Sequence, residues 1–386
     1  MIAEAAEAQA REAVAALEGA FGPSPAAAMT GTAPGRCTLV GEHVDYADGL
    51  VLVCAIDLTV TVAVRPSADG HWHAVSAGRR VERDHPAAAG DIGDRLFAAA
   101  LALRQRIDAA VPPLEMAVVA SLPEAAGLSS SAALIVAAMI SMLRREGRAL
   151  GADDLAAAAL HAERELVGVP CGPLDHRSVV SSLENAALLL DCRDGSLERV
   201  GWGLGGVVLV ACDTGDAHDV GGAGYAERRR QAAEALRLLS AASYREVDAE
   251  WVEAALEGVL QRRARHIVTE TERAGRAAAA LRAGDETRLG ELMTASGRSL
   301  RDDYEVGTPT LDAVVAAAVA HPGCLGARLV GAGFGGSAVA VVVEGAAAGC
   351  RRAMEAAAAR VGEGRPRSWV LRPGPGVAVT AADVVR

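Results

Sequence analysis

The 386-residue chain contains no lysine, so its 38 Lys-or-Arg positions are all arginines. This absence excludes a Walker A lysine, the strand lysine of a protein kinase and a Schiff-base lysine. Aromatic residues are also scarce, with 4 Trp, 4 Tyr and 3 Phe. Because alanine supplies much of the apolar content, we expect a core of Ala, Val and Leu in which ring stacking is rare.

The chain also lacks paired cysteines, long apolar runs and basic clusters. Its seven cysteines include no Cys-x-x-Cys pair, which favours free thiols in a reducing cytosol over a zinc site. No apolar signal-peptide segment and no run of about 18 uncharged apolar residues occurs. A net charge of −11 argues against binding nucleic acid or an anionic membrane. These features predict a cytoplasmic protein with small-molecule partners, not nucleic acid or membrane.

Hydrophobic patterning predicts alternating helices and strands in two domains. The predicted elements are a helix to about Phe21, strands over 50–64, 116–121 and 207–213, helices over 228–239 and 251–282, and a strand, glycine turn and strand over 327–345. A charged, glycine-rich connector near 194–206 separates the halves. We therefore predict domains of residues 1–198 and 199–386.

One glycine and three serines precede an apolar helix pattern at Gly127-Leu128-Ser129-Ser130-Ser131. The unpaired N–H groups and positive dipole end of a helix bind anions without lysine, and a serine oxygen can ligate Mg²⁺ beside a phosphate. The alternative is that these serines only cap the helix. A second glycine cluster, residues 331–337, allows close approach to a ligand or forms a tight hairpin.

Two further segments concentrate polar side chains. Residues 41–46 place Glu42, His43, Asp45 and Tyr46 directly after an apolar stretch, where they suit sugar hydroxyls or form a solvated loop. In a strand they would alternate between faces, whereas a turn would gather them. Residues 171–176 place Asp175 and His176 after a Gly-Pro turn. A functional acid at this position and an aspartate that only stabilises a turn or a helix start explain the pattern equally well.

The combination resembles the galactokinase family of the GHMP small-molecule kinases. The run APGRCTLVGEHVDYADGLVL resembles its signature, LPEAAGLSSSAAL its phosphate-binding motif, and LVGAGFGGSAVAVV its third motif. Flanking blocks extend the likeness from about Pro23 to Val379. The resemblance implies an α+β fold of two domains, a ribosomal protein S5-like α/β domain and then a ferredoxin-like α/β domain, with the active site in the cleft between them.

The resemblance further implies transfer of the γ-phosphoryl group of ATP to the anomeric hydroxyl of a hexose, with D-galactose as the expected acceptor and Mg²⁺ as cofactor. Alternatives are a kinase acting on another hexose or a cyclitol, and a sensor that binds ATP and sugar without catalysis. Residues 127–131, called the serine loop below, retain all three serines, which argues against a sensor that lacks catalysis. We expect a monomer or a weak homo-oligomer.

Site residues follow from matching the motifs position by position. The implied roles are Asp175 and Arg36 at the reacting hydroxyl, Glu42, His43, Asp45, Gly172 and Tyr225 on the sugar, Gly127, Leu128, Ser129, Ser130, Ser131 and Gly333 on the nucleotide phosphates, and Ser131 and Glu163 on Mg²⁺. Asp175 would take or orient the hydroxyl proton, although a neighbouring arginine lowers the pKa of an aspartate and makes it a poor base.

Several positions depart from the family pattern. His176 stands where the family usually has glutamine, and we expect it to be a packing or supporting group. The residues that also differ, without removing an implied functional group, are Val44, Ala47-Asp48, Ala125 and Pro173-Leu174. The phosphoryl chemistry is therefore better specified than the sugar.

Overall fold

A computed structural model describes residues 2–107, 111–169, 171–216, 223–374 and 376–377, which build two sheets and their covering helices. The helices are α1 (Ile2–Phe21), α2 (Gly93–Ile107), α3 (Ser130–Arg145), α4 (Ala152–His161), α5 (Leu174–Ser181), α6 (Ala223–Leu239), α7 (Ala249–Ala255), α8 (Gly258–Ala283), α9 (Glu286–Asp302), α10 (Pro309–Val319) and α11 (Ala347–Val361). The strands are β1 (Met29–Val40), β2 (Leu50–Pro66), β3 (Trp72–Ser76), β4 (Arg79–Arg83), β5 (Leu114–Ala120), β6 (Ala186–Asp191), β7 (Leu197–Gly201), β8 (Val207–Asp213), β9 (Cys324–Val330), β10 (Ser337–Val343) and β11 (Arg367–Leu371).

The first sheet is organised around β2, whose β-branched run favours an extended strand. The strand order is β4-β3-β5-β2-β6-β7, and β1 pairs antiparallel with β2. Successive β2 side chains point to opposite faces, so Ala63 packs with α1 residues such as Leu17, while Val62 and Val64 join the main core. Both faces of the first sheet are thereby covered. Strand β1 ends at the cleft between the two sheets.

The second sheet is antiparallel in the order β11-β8-β10-β9. Helices α6 to α10 connect its first two strands in chain order, and α11 connects its last two. This βαββαβ order is the ferredoxin-like arrangement. Thr308 caps α10 by accepting a hydrogen bond from the backbone N–H of Leu311, with Pro309 in the first turn. The predicted α+β fold class is confirmed.

The two sheets meet at the serine loop, residues 127–131, and at the residue before it. Ser337, at the start of β10, donates its hydroxyl to the carbonyl of Ala126 at 2.7 Å, and Gly331 packs against Gly127. The predicted boundary at 198/199 falls inside β7, which pairs with β6 in the first sheet. We therefore propose the domain boundary slightly later, in the connector 202–206.

Among the described residues, no helix combines the length and the apolar character needed to cross a bilayer.

Candidate active site

A cleft of about 670 Å³ lies between the two sheets, a size typical of small-molecule sites. The residues predicted for the site that line this cleft are Arg36, Glu42, His43, Asp45, Gly127, Ser129, Ser130, Ser131, Glu163, Gly172, Asp175, Tyr225 and Gly333. Leu128 is the exception, because its side chain is buried in the core. It contributes its backbone, whose carbonyl accepts a hydrogen bond from the N–H of Arg36 at 3.1 Å.

The polar segment after β1 is a turn, which is the alternative that gathers its side chains. Gly41 has φ +115° and His43 has φ +62°, both in the left-handed region. A Cβ at Gly41 would lie 2.7 Å from the carbonyl oxygen of Leu50, so no larger residue fits there. The turn directs Glu42, His43 and Asp45 into the same cleft.

The serine loop leads from β5 into α3. Gly127 and Ser129 have φ values of +69° and +59°, and α3 begins at Ser130. The backbone thus turns sharply at the point where the helix presents its free N–H groups to the cleft. No side chain caps the start of this helix, so the alternative in which the serines serve as caps is not what the structure shows.

Arg36 and Asp175 form an ion pair at the centre of the cleft. Nε and Nη2 of Arg36 donate to Oδ1 of Asp175 at 2.9 and 2.6 Å, and Nη1 donates to the carbonyl of Gly127 at 2.6 Å. Arg36 is 5% exposed, so its guanidinium holds a nearly fixed position. One arginine therefore holds both Asp175, the candidate base, and Gly127 of the serine loop. The ion pair does not use Oδ2 of Asp175.

In both members of this pair, the opposite charge of the partner and its hydrogen bonds outweigh the effect of burial on the pKa. Burial would raise the pKa of Asp175, but the charge and hydrogen bonds of Arg36 outweigh burial, and the pKa is lowered. Burial would lower the pKa of Arg36, yet Asp175 and Glu42 raise it. Both groups are therefore charged at neutral pH, as expected for an aspartate beside an arginine.

Three further residues, Asp45, Gly172 and Tyr225, line the same cleft as Asp175. An added Cβ at Gly172 would overlap Oδ2 of Asp45, so a side chain at this position would displace the carboxylate. Tyr225, in the first turn of α6, lies with its ring centroid 5.6 Å from that of Tyr46. Burial, followed by the charges of Asp175 and Glu42, raises the pKa of Asp45 to about 6.

The raised pKa of Asp45 predicts a stability effect for Asp45→Asn. Folding penalises the charged carboxylate, so this penalty is present above pH 6 and disappears as the pH falls below 6 and the group is protonated. We expect the variant to unfold at a higher temperature than the wild type at pH 7.5, and the difference to shrink at pH 4.5. Thermal unfolding of both proteins at the two pH values measures this; a lower unfolding temperature for the variant at pH 7.5 would contradict it.

Glu42 and His43 are held by contacts from the second domain. Oε1 of Glu42 accepts a hydrogen bond from the N–H of Gly331 at 2.7 Å and lies 3.2 Å from Nη2 of Arg328. Nε2 of His43 donates to the carbonyl of Ala332 at 2.9 Å, and burial lowers the pKa of His43 to about 3. Both residues therefore join the two domains as well as lining the cleft.

Sequence reasoning missed the side chains that hold this polar turn from behind. Arg328 is fully buried on β9, and Nε2 of His266 on α8 donates a hydrogen bond to the carbonyl of Glu42 at 3.0 Å. Tyr304 shares a hydrogen bond of 2.8 Å with Tyr46. Two of the flanking blocks that extend the family resemblance, RHIVTETERA and SLRDDYEVGTP, contain His266 and Tyr304, and membership of these blocks was the available signal.

Glu163 also lines the cleft and lies beside Ser131. It is 3% exposed, and its Oε2 lies 2.8 Å from Nε2 of the fully buried His176. Burial would raise the pKa of Glu163, but His176 and Ser131 outweigh burial and lower it. A charged carboxylate and a hydroxyl therefore face the cleft together, and both are oxygen donors of the kind Mg²⁺ prefers.

One arm of the cleft is apolar and carries no motif. It is lined by Val60, Ile92, Val118, Leu122 and Leu134. These residues come from β2, the residue before α2, β5 and the turn after it, and α3, and no spacing in the sequence associates them. Only the folded chain brings this apolar surface next to the serine loop.

The fold and the serine loop define a GHMP small-molecule kinase, and comparisons with known proteins agree. Models of the GHMP kinase N-terminal and C-terminal domains match residues 94–182 and 277–360, and the galactokinase galactose-binding signature matches residues 15–66. Human galactokinase is 37% identical over 342 residues, covering 85% of this chain and 86% of its own. Galactokinase from Roseiflexus sp. is 37% identical over 327 residues, covering 80% and 82%. The chain belongs to the galactokinase family.

Solved structures agree with this assignment. Lactococcus lactis galactokinase complexed with galactose superposes with a TM-score of 0.87 at 27% identity, covering 97% of this chain and 100% of that one. A mevalonate kinase of 16% identity superposes at 0.64, covering 89% and 98%, and shares the fold. The chain is therefore a phosphotransferase of the galactokinase family, and the predicted family is confirmed.

Proposed function

We propose that this chain transfers the γ-phosphoryl group of ATP to the anomeric hydroxyl of D-galactose, giving α-D-galactose 1-phosphate. The observation that carries the proposal is the Arg36–Asp175 ion pair, which lies between the sugar-side residues and the serine loop. Arg36 contacts both Asp175 and the Gly127 carbonyl, so acceptor and phosphate sites share one anchor. The family relatives support galactose as the acceptor.

The sugar occupies the part of the cleft formed by Glu42, His43, Asp45, Gly172 and Tyr225. Asp45 accepts hydrogen bonds from sugar hydroxyls, and Tyr225 both donates and accepts. Gly172 provides space for the sugar ring beside Asp45, because any side chain there would displace the carboxylate. These directed contacts distinguish one hydroxyl arrangement from its epimers, since an unpaired buried polar group is costly.

The nucleotide lies along the other part of the cleft. The N–H groups of Gly127 to Ser131 at the start of α3 bind its phosphates, with Gly333 approaching from the second domain. The apolar arm accepts the adenine ring. The donor set of Ser131 and Glu163 fits Mg²⁺, which would neutralise charge on the phosphates when bound.

In the chemical step, Asp175 and Arg36 act on the acceptor hydroxyl. The bond from the anomeric oxygen to the γ-phosphorus forms as the bond to the β-phosphate oxygen breaks, and ADP leaves. Because Arg36 lowers the pKa of Asp175, the carboxylate accepts the hydroxyl proton late, while Arg36 stabilises the negative charge on the oxygen. Alignment and charge neutralisation supply most of the catalysis.

ADP release with a panel of acceptors tests the function. We expect turnover with D-galactose, far slower turnover with D-glucose and none with inositols, and a product whose phosphate is on C1 by phosphorus NMR. Turnover with a cyclitol in preference to galactose would reassign the acceptor. Saturable binding of ATP and galactose without ADP release would instead indicate a sensor. The cytoplasmic location and the monomeric or weakly associated state stay predictions.

Gly172→Ala tests the sugar site separately from the nucleotide site. The added methyl group would displace Asp45, so we expect the KM for the sugar to rise at least tenfold, or about 1.4 kcal/mol, while the KM for ATP changes little. Steady-state kinetics with each substrate varied in turn measures this. Gly201→Ala is the matched control, because its Cβ would have nothing within 4 Å. Equal changes in both KM values would argue against the assignment of Gly172.

A further inference from the structure

Three side chains that commonly bind transition metals converge beside the serine loop. Glu163, Cys171 and His176 each offer one ligand atom, and these atoms all lie within 4.8 Å of one another. Glu163 and Cys171 line the cleft, and His176 on α5 lies directly behind them. The proposed mechanism uses Glu163 but neither the thiol nor the imidazole.

His176 has unused ligand capacity. Its side chain is fully buried, and Nδ1 makes no hydrogen bond to any residue that the structure describes. Nε2 lies 2.8 Å from Oε2 of Glu163, so the imidazole and the carboxylate form a buried pair. Buried polar atoms are nearly always satisfied, so the unpartnered Nδ1 shows that the protein atoms do not use the full capacity of this imidazole.

We propose that Glu163, Cys171 and His176 form a binding site for a transition-metal ion, with Zn²⁺ as the expected occupant. Carboxylate, thiolate and imidazole together are a zinc donor set, whereas Mg²⁺ rejects sulfur and prefers oxygen. Three protein ligands leave the fourth tetrahedral position open to the cleft, for water or a phosphate oxygen. Ligand atoms around tetrahedral Zn²⁺ lie about 3.3 to 3.6 Å apart, so side-chain adjustment of roughly 1 Å closes the site.

This site has a consequence for the kinase that rests on the proposed function. Glu163 belongs both to the zinc site and to the proposed Mg²⁺ site, so Zn²⁺ competes with Mg²⁺ for the same carboxylate. Zn²⁺ bound to Glu163 neutralises the charge that would otherwise attract Mg²⁺ to the adjacent Ser131. We therefore expect Zn²⁺ to inhibit phosphoryl transfer, and Mg²⁺ in excess to relieve the inhibition.

Titration of the purified full-length protein with Co²⁺, without nucleotide or sugar, tests the site directly. Cobalt replaces zinc in such sites, and a thiolate ligand gives a charge-transfer band in the near ultraviolet. We expect one saturable equivalent with this band and with the visible absorption of tetrahedral coordination. Cys171→Ser removes the charge-transfer band, and His176→Gln weakens Co²⁺ binding at least tenfold. Thermal unfolding of each variant checks that it is folded.

Matched substitutions at other sites control for non-specific binding. Cys192→Ser removes another partly exposed cysteine, and His321→Gln removes another histidine that has a buried nitrogen without a hydrogen bond. Both variants should give the wild-type spectrum. The proposal is overturned if the wild type shows no saturable thiolate band, or if Cys171→Ser retains it. Because this assay contains no ATP or sugar, its failure leaves the proposed kinase activity untouched, and a failure of ADP release leaves the metal spectrum untouched.

Discussion

Asp175→Asn is expected to lower kcat by roughly 10² to 10⁴, the usual range for loss of a positioned proton acceptor. The amide keeps the size of the carboxylate and its Oδ1 still accepts from Arg36. It can neither take the proton of the anomeric hydroxyl nor carry the negative charge that holds the guanidinium. We therefore expect the loss to appear in kcat, while the Kd values for sugar and ATP, measured calorimetrically, change by only a few fold.

The structure supports this expectation because the two oxygens of Asp175 have different surroundings. Oδ1 receives both hydrogen bonds from Arg36, at 2.9 and 2.6 Å, and so fixes the orientation of the carboxylate. The ion pair leaves Oδ2 for the acceptor. A substitution that keeps the shape but removes the charge therefore separates orientation from proton transfer.

The matched control for Asp175 is Asp153→Asn. Asp153 lies in the same domain and also pairs with an arginine, Arg177 at 2.8 Å, but its side chain is 87% exposed. An exposed pair of this kind contributes little, and we expect unchanged kinetics. If Asp175→Asn retained near wild-type kcat with ATP and galactose, Asp175 would not be the proton acceptor.

Much of the fold could be predicted from local patterns. The helix to Phe21 and the strand over 207–213 coincide with α1 and β8, because alanine-rich helix periodicity and β-branched runs act over neighbouring residues. The 50–64 run forms one continuous strand, β2, that extends to Pro66. Its two halves pair with different strands, which no local pattern records.

The candidate site was predictable where a motif specifies the backbone. The serine loop needs Gly127 and a helix start within a few residues, and the resemblance identifies both. The apolar arm and the buried support behind Glu42 were not predictable, because they depend on contacts between residues far apart in the chain. Arg328, for example, lies 289 residues from Leu39, whose carbonyl it contacts.

Arg328→Met is expected to lower the free energy of unfolding by about 3 to 5 kcal/mol, the usual cost of removing one partner from a buried ion pair. Arg328 is fully buried, donates from Nη1 to the carbonyl of Leu39 at 3.0 Å, and lies 3.2 Å from Oε1 of Glu42. Methionine fills similar space but leaves Glu42 charged and buried without its cation. Chemical denaturation measures the loss, and Arg288→Met, an exposed helix residue, is the control expected to change little.

The pH dependence identifies Glu42 as the cause of that loss. Burial already raises the pKa of Glu42 in the wild type, with Arg328 as the largest opposing influence. Without Arg328 the folded-state pKa rises further, so the penalty for the charged form is present at pH 7.5 and is lost as the pH falls and the group is protonated. We therefore expect the destabilisation to be smaller at pH 5 than at pH 7.5.

Adding Glu42→Gln to Arg328→Met should recover part of the stability at pH 7.5. A destabilisation that is independent of pH, and that Glu42→Gln does not reduce, would instead place the cost in lost packing and the unpaired carbonyl of Leu39.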